Sequence, residues 1–257
     1  MSTTDFDVAS DRRGASGLGG GPGNAPKADR ARDLLRHEIL FGLRRPGEHL
    51  TEQALAADLG CSQGTVREAL MRLADEGLVE RRGYRGTVVT ETTLEEAAEM
   101  VRIRLSIERR VARRLATGGL AAPARREIDA LLDAMDAAHA RGDLSRCSDL
   151  DRAFHVALCR HAGLTLLCPV LGRAALHMHR FTLGGVELPR SFREEAGVGA
   201  EHRALVEAIV AAEPDAAARA AAEHVVRVLH RWAPSLHAAA GSDTVAASPG
   251  DGVEPAR

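Results

Sequence analysis

Apolar residues recur at helical spacing from the start of the ordered-looking chain. Ala31, Leu34, Leu35, Ile39 and Leu40 fall on one face of the segment 29–41, and Gly42 closes it. A shorter helix is expected over 52–59, with Ala54, Leu55 and Leu59 inward. Thr51 is its natural N-cap, because a hydroxyl there can accept from an orphan backbone N–H. Gly60 permits the left-handed backbone that stops it. Ser62 then caps a third helix over 63–75, with Val66, Ala69, Leu70 and Leu73 on one face and Gly77 at its end. Residues 78–82 and 87–90 read as two strands around Gly83, Tyr84, Arg85 and Gly86. Three helices followed by a β-ribbon form a winged helix-turn-helix.

Beyond Thr90 the strands stop. Thr93 and Glu96 form a capping box, so a linker is placed at 91–92 and a helix over 94–116. Gly118 and Gly119 break that helix. Pro123, suited to a first helical turn, opens the next, to about 140. Residues 141–143 are a stop and restart, and the following helix runs to about 161. Gly163 interrupts, a helix over 164–183 follows, and 184–199 is a looser stretch containing Pro189. Helices over 201–212 and 214–232 end the pattern. The fold class is therefore mostly α. A winged helix-turn-helix domain over 28–90 precedes an all-α bundle of about six helices over 91–236. Residues 1–27, rich in glycine and poor in large apolar side chains, are expected to be disordered, and so is a small, polar tail over 237–257.

Composition changes this picture little. Hydrophobic residues make up 45% of the chain and aromatic ones 3%, so the core must be aliphatic. The net charge is -2, and within 28–90 ten arginines balance ten acidic residues. Nucleic-acid binding must then come from the placement of charge, not its sum. The cysteines Cys61, Cys147, Cys159 and Cys168 show no C-x-x-C pair and read as reduced thiols. With no signal peptide and no apolar run of bilayer length, the expectation is a cytoplasmic chain without a membrane partner.

Two constellations carry chemistry. The second helix of a helix-turn-helix enters the major groove with its N-terminal residues towards base edges. Here these are Ser62, Gln63, Gly64, Thr65 and Arg67. Glutamine can bond adenine at two places, and arginine can grip guanine or a phosphate. Gln53, Arg72 and the ribbon tip, Tyr84 and Arg85, complete the candidate DNA contacts. Taken singly, Arg67 and Arg85 fit solvated surface charge equally well; the ordered set of cap, turn, helix and wing favours double-stranded DNA.

The other constellation lies in the bundle. Asp151 and His155 are four residues apart, so they share a helix face. His202 shares a stripe with Leu205, Val206 and Ile209, and His224 one with Ala220, Ala221 and Val228. Three imidazoles and a carboxylate on three inward stripes can converge on one divalent metal ion, with Zn, Ni, Co, Fe or Mn all suited to such donors. The bland alternative is a set of hydrogen-bonded core histidines.

The first unit resembles the N-terminal domain of GntR-family transcription regulators. The matching stretches are PGEHLTEQALAADLG at 46–60, VREALMRL at 66–73, EGLVERR at 76–82 and RGTVV at 85–89. Gln53 stands where members often carry arginine, and Ser62-Gln-Gly-Thr-Val-Arg67 where they often have Ser-Arg-x-Pro-Val-Arg. Thr65 and Arg67 are the residues that carry over best, and the operator cannot be copied from relatives. Residues 93–233 resemble the FCD domain of the FadR branch, through Arg104-Leu-Ser-Ile-Glu108, Asp151-Arg-Ala-Phe-His155, 201–209 and Ala222-Glu-His224. The resemblance implies that Asp151, His155, His202 and His224 hold a divalent metal. It also implies a small organic-acid effector beside the metal, with its carboxylate paired to Arg104. Leu164-Thr165 stands where members often have asparagine, which leaves the effector's identity open. About six helices fits the shorter VanR-like subgroup.

The expected protein is a homodimeric, effector-controlled regulator, most simply a repressor, and not an enzyme. Two alternatives stay open: a sensor of the metal ion itself, and a metalloenzyme fused to a DNA-binding domain.

Overall fold

A computed structural model describes residues 27–83, 86–184 and 198–241. The chain divides into two compact units between Glu91 and Thr92.

In the first unit, α1 (Lys27–Leu40) packs on α3 (Gln63–Asp75), and α2 (Glu52–Leu59) lies between them in sequence. The caps form as side-chain chemistry dictates. Thr51 Oγ1 accepts from Ala54 N, Ser62 Oγ accepts from Thr65 N, and Gly60 is left-handed with φ of 61°. Only Leu55 of α2 is buried, so the expected inward set Ala54, Leu55 and Leu59 shrinks to one anchor. Arg36 of α1 is buried beside the apolar stripe. It is paired to Glu76 at 3.2 Å and Asp33 at 3.1 Å, which offsets the cost of taking its charge out of water.

The sheet has three strands in the order β1 (His49–Leu50), β3 (Thr87–Val89), β2 (Val79–Arg81), all antiparallel. Register pairs Leu50 with Thr87 and Arg81 with Thr87. The edge strand β1 was not expected; two residues are too few to show a period of two.

The second unit is helical: α4 (Leu94–Gly118), α5 (Ala122–Ala140), α6 (Leu144–His161), α7 (Cys168–Leu183), α8 (Val198–Val210), α9 (Pro214–Trp232) and α10 (Pro234–Ala240). Both arms of the Thr93–Glu96 capping box form. The expected helix over 164–183 is split. A 3-10 turn, Thr165–Leu167, comes first, and α7 restarts so that Pro169 lies in its opening turn, where the missing N–H costs nothing. Helix α8 begins at 198 and ends at 210, three residues earlier than expected at its start and two at its end.

The C-terminal boundary needs correction. Residues 237–240, assigned to the tail, complete α10, which buries Leu236 and Ala240. Arg102 Nη2 of α4 donates to the carbonyls of Ala239 and Ala240, each at 3.2 Å, and so satisfies the end of this short helix. With α10 the described residues of the unit hold seven helices, so helix count does not favour the shorter subgroup. The expected tails at 1–26 and 242–257 and most of the loose stretch, residues 185–197, lie outside the described residues. No described helix is long and apolar enough to cross a membrane.

Candidate functional site

The N-terminus of α3 presents Gln63, Gly64 and Arg67 to solvent, with Thr65 half-buried and Ser62 holding the turn. Gln53 is exposed on α2. Arg67 is not loose on the surface. It forks onto Glu52 of α2, with Nε 2.9 Å from Oε1 and Nη2 2.6 Å from Oε2, and this bond holds the Glu52 carboxyl below its ordinary pKa. Arg72 pairs with Glu68 at 2.6 Å and with Asp29. Tyr84 and Arg85 lie outside the described residues. Glu52 is the residue that sequence reasoning missed here; nothing in spacing couples positions 52 and 67.

In the bundle, Asp151 and His155 on α6, His202 on α8 and His224 on α9 come together. One donor atom from each lies within 4.8 Å of all the others. Asp151 Oδ1 is 2.8 Å from His202 Nε2 and 3.6 Å from His155 Nε2. The ring centroids of His202 and His224 are 4.4 Å apart, and those of His155 and His224 5.3 Å. Phe154 packs edge-on against both His155 and His202, which orients the two rings.

Protonation differs among the donors: His224 is held neutral, whereas for His155 burial is outweighed by Glu108 and then Asp151, which hold it above the ordinary histidine range, so an ion would have to displace its proton. Burial first, then the neighbouring His202 and His155, push His224 well below the ordinary histidine range, so it is neutral with a lone pair to give. Burial alone would raise Asp151. The charge of His155, 3.6 Å away, and hydrogen bonds from His179 and His202 outweigh it and hold the carboxyl well below its usual value. Both ring nitrogens of His224 are buried with no hydrogen-bond partner. Each such atom costs about 1–3 kcal/mol, and a metal–nitrogen bond would answer that cost at one of the two. Donors about 2.1 Å from one ion stand at most about 4.2 Å apart. The widest pair would therefore have to close by at least roughly half an ångström to share one ion. The donors fit a borderline divalent ion.

Arg104, expected to grip an effector, is buried and already engaged. Its Nε donates to Glu108 Oε1 at 2.6 Å, its Nη1 lies 3.4 Å from Met178 Sδ, and its Nη2 lies 3.9 Å from Asp151 Oδ2. Glu108 Oε2 lies 3.0 Å from His155 Nδ1. His179 of α7 joins the cluster as well: its Nε2 sits 2.9 Å from Asp151 Oδ2. Beside Glu108 and His155 a cavity of about 10 Å³ is lined by Val111, Ala112, Leu158 and Leu205. That is room for roughly one water.

His177, two residues before His179, turns the other way. Its Nδ1 is 3.2 Å from Thr92 Oγ1, to which Arg180 Nη1 also donates at 3.5 Å. Burial, then Arg180 and Arg173, lower His177 from 6.5 to about 4. A histidine held neutral in the fold binds its proton more readily when unfolded. Its contribution is therefore present above 6.5 and is lost as the pH falls from 6.5 towards 4. The loss should reach at most about 3 kcal/mol. Chemical denaturation across that window should show a shallower pH slope for His177→Asn than for the wild type.

The family model for bacterial regulatory proteins, gntR family, matches residues 27–89, and that for the FCD domain matches residues 99–227. A probable D-xylose utilization operon transcriptional repressor of Paenarthrobacter nicotinovorans is 30% identical over 81% of this chain and 89% of that protein. The transcriptional regulator McbR of Escherichia coli K12 is 28% identical over 56% of this chain and 65% of its own length. The solved structure of E. coli McbR/YncC has a TM-score of 0.62 at 24% identity, covering 80% of this chain and 96% of that one, and supports the fold. The matched gntR family model and these relatives are described as transcription regulators.

Proposed function

The chain belongs to the gntR family of bacterial regulatory proteins and carries an FCD domain, and on that premise we propose a repressor controlled by a small organic acid. The acid would bind beside a divalent metal held by Asp151, His155, His202 and His224. The observation that carries the metal reading is His224, a buried imidazole with neither nitrogen partnered, in contact with two other histidines and near an ionised carboxylate. A bound ion would supply open coordination positions for a carboxylate oxygen. Arg104, which reaches the Asp151 carboxylate at 3.9 Å, is close enough to share an incoming acid. Ser62, Gln63, Thr65 and Arg67, with Gln53, Arg72 and the ribbon residues Tyr84 and Arg85, would meet operator DNA. A homodimer would match a palindromic site. Regulation requires the acid to bind the DNA-free and DNA-bound arrangements with different affinity.

A second reading, in which the ion itself is the signal, is favoured by the water-sized cavity beside His155. An organic acid would not fit within that cavity. Operator affinity measured on metal-free protein, with metal alone, and with metal plus gluconate or another small carboxylate separates the two. The organic-acid reading expects little change with metal alone and roughly a 5- to 150-fold change on adding the acid. A change of that size with metal alone selects the ion sensor, and a chain that takes up no metal overturns both.

A further inference from the structure

Glu108 is a buried carboxylate outside the set of four ligands; one of its oxygens is hydrogen-bonded and the other, without a hydrogen bond, faces a histidine at ion-pair distance. Oε1 accepts from Arg104 Nε at 2.6 Å; Oε2 faces His155 Nδ1 at 3.0 Å. We infer that Glu108 is a positioning residue of the metal centre, fixing His155 with its proton on Nδ1 so that Nε2 is the atom offered to an ion. The inference rests on reading Asp151, His155, His202 and His224 as ligands.

Three observations carry it. The two nitrogens of His155 have different surroundings: Nδ1 stands 3.0 Å from Glu108 Oε2, an ion-pair contact to an oxygen with no hydrogen bond of its own, while Nε2 points to the Asp151 side and has no hydrogen-bond partner. An imidazole free of Glu108 could carry its proton on either nitrogen or turn over; a carboxylate on Nδ1 forbids both. Next, Arg104 neutralises Glu108, being four residues earlier on α4, so the pair adds orientation without adding net charge. Finally, the opposite side of the cluster uses the same device. His179 Nε2 holds Asp151 Oδ2 at 2.9 Å, which leaves Oδ1 facing His202 and His155. Outer partners of this kind typically contribute 10- to 100-fold in metal affinity.

The test uses the full chain and Zn²⁺. Removing Glu108 alone would strand the Arg104 charge in the core, so the variant is the double substitution Arg104→Met, Glu108→Met. Exchange of a buried pair for apolar residues of similar volume is commonly tolerated. Because the pair is neutral, its removal leaves the local charge unchanged, and any loss of affinity reports orientation. Chelator competition should show Zn²⁺ held about 10- to 100-fold more weakly by the double variant. In metal-free protein, ¹⁵N spectra of the His155 ring in mildly alkaline buffer should show Nδ1–H in the wild type and a shift towards Nε2–H in the variant. A folded double variant that binds Zn²⁺ as tightly as wild type, or keeps the same tautomer, overturns the role of Glu108 and leaves the four ligands standing. Wild type that takes up no Zn²⁺ overturns the ligand reading, and the role of Glu108 with it.

Discussion

Asp151→Ala should weaken divalent metal binding by more than about 100-fold, beyond the range expected of an outer partner. The carboxylate is the hub of the cluster. One oxygen meets His202 at 2.8 Å and His155 at 3.6 Å, and the other meets His179 at 2.9 Å and Arg104 at 3.9 Å. It is also the one anionic donor of the four. Without it, three neutral imidazoles face the uncompensated charge of the ion in a buried site, beside an Arg104–Glu108 pair that sums to zero. Asp151→Asn, which keeps an oxygen and loses the charge, should fall between wild type and alanine. The check is metal content after gentle, chelator-free purification, followed by titration with Zn²⁺. The same loss should appear in stability, since an ion at about 100 times its dissociation constant adds about 2.7 kcal/mol to the folded state. Added metal should raise the unfolding temperature of wild type and not that of Asp151→Ala. Equal stoichiometry and affinity in the two proteins would sink the assignment of Asp151.

Arg67→Ala should weaken operator binding by about 1–3 kcal/mol, roughly 5- to 150-fold. Arg67 is exposed on the first turns of α3, on a helix whose packing depends on Val66, Ala69, Leu70 and Leu73 instead. Its bond to Glu52 is an exposed pair of the sort that contributes little to stability. The folded unit should therefore survive the substitution. The Glu52 fork aims the guanidinium from the neighbouring helix, so Glu52→Ala should also lower operator affinity, by less. Binding measured on operator and on unrelated duplex at several salt concentrations reports which contact is lost. A base contact costs more on the operator than elsewhere; a phosphate contact costs the same on both and lowers the salt slope by about one. Unchanged affinity on both duplexes would remove Arg67 from the interface.

Much of the architecture could be read along the chain because it is set by neighbours in sequence. The caps at Thr51, Ser62 and Thr93 need only a hydroxyl, a backbone N–H three residues on, and for Thr93 a glutamate at the same distance. The burial of Val66, Ala69, Leu70 and Leu73 follows from a period of 3.6. The pairing of Asp151 with His155 on one face follows from the same period. The inward stripes of His202 and His224 made their convergence with Asp151 and His155 possible, and motif resemblance favoured it, since no periodicity states the distance between α6, α8 and α9.

Other features were hidden for reasons of the same kind. Strand β1 is two residues long and is defined by its partner β3. Helix α10 is a short run of small residues, satisfied at its end by Arg102 from α4. Glu108 and Arg104 are visible as an i, i+4 pair, but that their carboxylate turns to His155 depends on how α4 meets α6. His179 and His177 differ by two residues on α7, and only packing sends one to Asp151 and the other to Thr92. The sequence by itself therefore determined most of the elements, the caps at Thr51, Ser62 and Thr93, the order of the two units and the family. The tertiary structure decided which buried polar groups meet, how far apart the four donors stand, and the water-sized cavity beside His155. Local backbone hydrogen bonds and side-chain periodicity act within a few residues, whereas a buried charge finds its partner only through the packing of helices distant in the chain.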